Sequence, residues 1–323
     1  MSKTATLLDM KNSPKSSCFF LVACIGKLFL IIVIFGTSCA SKKIIDAPTS
    51  FQGECLQGLS FEESREEFEI EELKAEKPWM DKLDDKSIDM AIALNLVDEL
   101  ESYLNGELSE TKKLDLKMHI LSRVMRMDLE INALMSAIDC EEEKAEQLAT
   151  FLDRSLRKRE RNLTVAAIVI GATVGVSQGV SVAANDEVGD WLDYFGILGG
   201  LTEVILGITI LRMENNVDIE HPKNVLRDVY EGDSRPSYFP PSVWYYFNSE
   251  RNNEENVSLK NQLIKRWEAY NLNYSGMSVM LDDGGIYTSD LLKIRSEMLD
   301  QVESQIALIN KDLLHFLTRI ESY

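Results

Sequence analysis

The sequence predicts an all-α protein, a long-helix bundle whose heptad-striped helices flank a glycine-rich hydrophobic helical hairpin. Ile120, Val124, Met127, Ile131, Leu134 and Ile138 follow one another at alternating steps of four and three. Leu299, Val302, Ile306, Ile309, Leu313, Phe316 and Ile320 repeat that stripe near the C-terminus. Such spacing lays one apolar seam along a helix. Between the stripes no proline occurs from residue 80 to 221, and Leu163–Ala184 carries no charge.

The 323 residues suffice for one large or two small domains with real cores. With 53 acidic against 34 basic residues the formal charge is −19, which argues against a nucleic-acid partner. Six segments follow from composition: a leader (1–38), a tether with an acidic stretch (39–86), a first bundle part (87–162), the hairpin (163–212), a Pro/aromatic-rich segment (213–257) and a second bundle part (258–323).

In the leader, Lys3, Lys11, Lys15 and Lys27 precede the apolar run LFLIIVIF, and GTSC closes at Cys39 with Ala40 and Ser41 after it. A basic lead, a short apolar core and small residues before a cysteine resemble the signal peptide and lipobox of bacterial lipoproteins. The resemblance covers about forty residues and departs from the family at Gly36, where a leucine is usual. It implies acylation of Cys39 and a lipid-anchored place in a bacterial cell envelope, at the inner or the outer membrane. A plain signal peptide or an uncleaved anchor helix over 18–38 is the simpler reading. Cys55 and Cys140 are left to pair in an oxidising compartment or to remain buried thiols.

After a tether containing Pro48, residues 60–79 form a strongly acidic stretch read as a solvated helix or linker. Ile88, Ala91, Leu94, Leu96, Val97, Leu100 and Leu104 suit one helix, begun at Ser87 and stopped by Asn105-Gly106. Ser109 opens the long striped region, which runs on into the uncharged stretch. Thr288-Ser289-Asp290 reads as the cap of the C-terminal helix, expected to pack antiparallel to the first.

Leu163–Ala184 has about the length that crosses a ~30 Å hydrocarbon layer. Ala167, Gly171, Gly175, Gly179 and Ala183 fall on one stripe, and Gly196 and Gly200 of the second arm are expected to meet it. Small residues at this spacing let two backbones approach closely. Glu203 and the shorter second arm argue against a simple span, so a membrane-embedded hairpin and a dry bundle core both stay open. The basic residues Arg154, Arg157, Lys158, Arg159 and Arg161 before it, with Arg212 after it, are the pattern of two cytoplasmic ends. That conflicts with simple export of the same chain.

Among Tyr238, Phe239, Trp244 and Tyr245 the sequence offers an aromatic plug, a headgroup-level belt or a partner patch. LDDGGIY at 281–287 reads as a turn. No Walker-type loop, H-E-x-x-H, C-x-x-C or G-x-S-x-G occurs, and three histidines leave little material for a site. No catalytic residue, metal or cofactor is expected. A site around His221, Asp228 and Glu231 is the weak enzymatic alternative. The expected partners are the membrane and, through helices, another protein or a second copy. The order of long helices, hydrophobic hairpin and long C-terminal helix resembles the layout of alpha-helical pore-forming toxins, without a shared motif.

Overall fold

The computed structural model describes residues 43–48, 51, 53, 55–61, 78–184, 189–232, 234–250, 257–270 and 277–323, with the side chains of 177–195 and 277 left out. The leader with Cys39, and most of the acidic stretch, lie outside the described residues. Described residues form nine helices and three strands. They are β1 (Lys43–Ile45), a 3₁₀ turn (Pro78–Lys82), α1 (Asp85–Ala93), α2 (Val97–Asn105), α3 (Glu110–Ala184), α4 (Gly189–Leu211) and β2 (Asn215–Glu220). Then follow α5 (Val225–Glu231), α6 (Pro241–Asn248), α7 (Leu259–Tyr270), α8 (Met277–Leu281), β3 (Gly284–Thr288) and α9 (Ser289–Glu321).

The chain divides into two compact units, Ser155–Glu214 in one and Ile44–Arg154 with Asn215–Tyr323 in the other. The larger is the helical bundle. Every residue of both heptad stripes is buried there. Helix α3 extends the seam through Ala145, Leu148, Ala149 and Leu152, because apolar residues keep returning to the same face. Ser289 Oγ donates to the Ala149 carbonyl (3.3 Å), Lys293 Nζ pairs with Asp153 (2.9 Å), and further along Glu303 lies beside Glu142. From residues 289–293 of α9, beside 149–153 of α3, to Glu303, beside Glu142, the numbers in α3 fall: the two run antiparallel. Thr288 caps α9, its Oγ1 accepting from the Leu291 amide (3.1 Å).

Three expectations need correction. The fold is mostly helical but not purely all-α, since β1-β2-β3 form a small sheet. Strands β2 and β3 pair antiparallel, with Val217 opposite Tyr287 and Glu220 opposite Gly284. The stretch read as a turn at 281–287 therefore contains most of β3. At Gly284 (φ 152°) a Cβ would collide with the Ile219 carbonyl and lie 2.9 Å from Glu220 Cα, so the close strand approach requires glycine. The single helix expected over 87–104 is two helices: Asn95 adopts φ 52°, a left-handed conformation that Asn tolerates, and Arg123 Nε takes the freed Leu94 carbonyl (3.0 Å).

Of the three readings of the aromatic segment, burial favours the plug. Tyr238, Phe239 and Trp244 are buried and Tyr245 is half-buried. Pro241 starts α6, where a missing amide costs nothing, and turns the aromatic side chains into the core. Phe239 and Trp244 meet edge-to-face at 4.9 Å, and Lys260 Nζ lies 5.2 Å from the Trp244 ring. Aromatic rings packed this way form a plug, not a free partner patch or a headgroup belt. Cys55 and Cys140 are joined by a disulfide with Cα atoms 5.7 Å apart, tying the segment after β1 to α3.

Candidate functional site

Two features of the molecule invite function. The first is the hairpin, made by the C-terminal part of α3 and by α4. None of its described side chains enters the hydrophobic core. Instead Val165 is 54%, Ile168 64%, Val204 58% and Leu211 86% exposed. The described side chains of this stretch are therefore no part of the bundle's core. Among the described residues no helix is long and apolar enough to cross a membrane, so the span expected over 163–184 is not shown either.

The packing between the arms uses fewer small residues than the stripe suggested. Glu203 Oε1 occupies the space that a Cβ on Gly171 would need, and a Cβ on Gly199 would lie 2.7 Å from Val174. Gly171 is thus a contact point as expected, but Gly175 and Gly200 face open space. Gly199, one position before Gly200, does the work assigned to its neighbour, because helix register decides which glycine points inward. Ala167 and Gly196 are half-buried, while Gly179 and Ala183 lie outside the residues whose side chains are described.

Four threonines on the arms bond within their own helices. Thr164, Thr173, Thr202 and Thr209 each donate Oγ1–H to the carbonyl four residues earlier, at 2.7–2.9 Å. A hydroxyl bonded to its own helix can leave water without the usual penalty of roughly 2–7 kcal/mol. The basic residues Arg157, Lys158, Arg159 and Arg161 precede this surface in the same helix, and Arg212 follows α4.

The second feature is a cavity of about 620 Å³ in the larger unit, beside β2 and the first turns of α9. Its wall holds His221 and Arg295, 6% and 5% exposed. Tyr287 Oη donates to the Val279 carbonyl (2.8 Å), so its 2.7 Å contact with His221 Nε2 must be donated by the imidazole. That fixes the Nε2–H tautomer and leaves buried Nδ1 as an acceptor with no partner among the described residues. Burial, reinforced by the Arg295 charge, pushes the His221 pKa down to about 4. Asn224 holds the arrangement together. Its Nδ2 donates to the Met280 and Asp282 carbonyls, and its Oδ1 accepts from Arg295 Nη1 (3.2 Å).

His221 does not join the carboxylates that sequence proximity suggested. Asp228 accepts from Tyr238 Oη (2.7 Å) and from Arg227 Nε (3.1 Å), and Arg227 also reaches Asp283. Glu231 is exposed at the end of α5. Nothing in sequence announced Arg295, whose position on α9 falls between apolar core residues; a charged residue on the buried side of an amphipathic helix was the available signal. No family model, curated protein or solved structure matches this chain.

Proposed function

We propose that this is a noncatalytic, membrane-attached helical protein of a bacterial cell envelope, acting as a scaffold or interaction protein. The hairpin embeds in lipid, an acyl group on Cys39 supplies a second attachment, and the bundle is carried outside the bilayer. One observation carries the reading: among the described residues, many of the hairpin's apolar side chains are exposed and none joins the core. Exposed apolar surface of this extent marks a membrane or protein contact. Lipid is favoured because the threonines are internally bonded and because basic residues precede and follow the hairpin in the chain, where anionic headgroups would meet them.

The disulfide supports an oxidising compartment and so agrees with export under a lipoprotein signal. Embedding from the outer side of the membrane also removes the conflict with the positive-inside pattern, which governs segments inserted during synthesis. Two attachments give stable anchoring where one acyl chain is marginal. A pore-former of the layout noted above hides its hairpin until insertion, whereas this one is exposed, so permanent attachment is the better reading.

The test is flotation of a chain starting at Ala40, lacking leader and acyl site, on vesicles of phosphatidylcholine and phosphatidylglycerol. Flotation is expected without dye release. A chain that stays at the bottom of the gradient, folded and monomeric, overturns the hairpin's role.

A further inference from the structure

We infer that the cavity beside His221 binds a small monocarboxylate with an apolar body, with Arg295 as its charge partner. The inference is independent of the membrane reading. Arg295 is almost fully buried, yet its hydrogen-bond partners among the described residues are neutral: the Asn224 side chain, the Met280 carbonyl and the Tyr287 phenol. Among the described residues no carboxylate forms an ion pair with it. A guanidinium taken out of water without a counter-charge is costly, and a carboxylate is the group whose two oxygens match its forked donors.

The rest of the cavity defines the ligand. Two further cations on the wall are already engaged: Lys144 Nζ donates to the Gly53 carbonyl (2.7 Å) and lies 3.4 Å from Glu141, and Lys223 reaches the Leu56 carbonyl (3.5 Å). They leave Arg295 as the buried cation that still lacks an acid. Part of the wall is apolar, with Phe51, Leu148 and Leu292 in it. The exposed acids Asp46, Asp218 and Glu220 also line the cavity and repel additional negative charge. A monoanion with a hydrocarbon or aromatic body satisfies all three conditions, while a phosphate dianion meets the acids. The volume lies within the range of small-ligand pockets.

Hexanoate is the probe, since it is water-soluble and carries one charge. Titration of [1-¹³C]hexanoate with the purified full chain, followed by the carboxyl resonance, is expected to saturate at one site per chain. Hexanol, tested by competition, should bind at least tenfold more weakly, and hexylphosphonate should compete poorly. Arg295→Met should lower hexanoate affinity at least tenfold. Because that variant removes buried hydrogen bonds and can fail to fold, Asp218→Asn/Glu220→Gln provides a second readout on exposed residues. It should strengthen hexanoate two- to threefold and hexylphosphonate more. Absence of saturable binding by wild type, equal binding of hexanol, or no response to the double variant overturns the proposal.

Discussion

Two stretches of α3, close in sequence, have opposite fates. Leu148, Ala149 and Leu152 are buried in the bundle, whereas Val165, Ile168 and Val169 lie open. The first stretch mixes charges into every turn, so only one face is apolar and a partner helix can cover it. The second has no polar face, and a single neighbouring helix, α4, contacts it through Gly171, Val174, Gly199 and Glu203. Periodicity makes a bundle helix; apolarity all round makes a surface that needs another medium. The contrast separates the folding of the bundle from the membrane attachment proposed for the hairpin.

The strongest way to break the comparison is to charge the open surface. Ile168→Asp with Val204→Asp should abolish vesicle flotation while leaving the unfolding midpoint of the bundle in place. Loss of the bundle's cooperative transition, followed by circular dichroism in urea, would show that the two stretches are not separable. In the opposite direction, Ile306→Ala should cost about 2–5 kcal/mol of bundle stability and leave flotation unchanged. Replacing Cys55 and Cys140 by serine removes a crosslink between residues 85 apart in sequence. In the chain-entropy picture this costs about 4.6 kcal/mol, measurable in the same urea titrations with and without reductant.

A smaller effect sharpens the bundle side. Burial and then the charges of Asp300, Glu303, Asp139 and Glu146 raise the Glu142 pKa from 4.5 to about 7. The folded state therefore holds this proton more tightly than the unfolded chain, so the contribution favours folding below about 4.5 and is lost as pH rises through 7. His221 works the other way: with a folded pKa of about 4 against 6.5, it costs stability as pH falls from 6.5 to 4. Glu142→Gln should match wild type near pH 5, apart from the amide exchange itself, and exceed it in stability at pH 8. Equal midpoints at both pH values would refute the crowding of acids between α3 and α9.

The smallest effect lies within the hairpin. Gly175→Ala places a methyl group in open space and should raise helix stability by up to about 1 kcal/mol, whereas Gly199→Ala drives a Cβ against Val174 and should loosen the arms. Cysteine crosslinking between the arms would distinguish the two variants; identical crosslinking rates would count against the register described.

Much of the bundle was legible in the residues. Both heptad stripes, the Thr288 cap and the stop at Asn105-Gly106 are local signals: each depends on side chains a few positions apart on one helix, and the structure keeps them all. The uncharged stretch was legible as an unusual helix for the same reason. What the sequence could not reveal depends on distant partners. Strand β2, with Val217 and Ile219 alternating over six residues, is too short to announce itself and exists through pairing with β3. Whether Tyr238, Phe239 and Trp244 are surface or core turns on which helices close over α6. Gly199 rather than Gly200 faces Val174 because of a register set between two arms. Arg295 and His221 come to one cavity from 74 positions apart in the chain, joined through Asn224 and Tyr287. Local chemistry chose the helices and their apolar faces; only the tertiary structure decided which faces were covered, since burial is a property of two surfaces and a sequence window holds one.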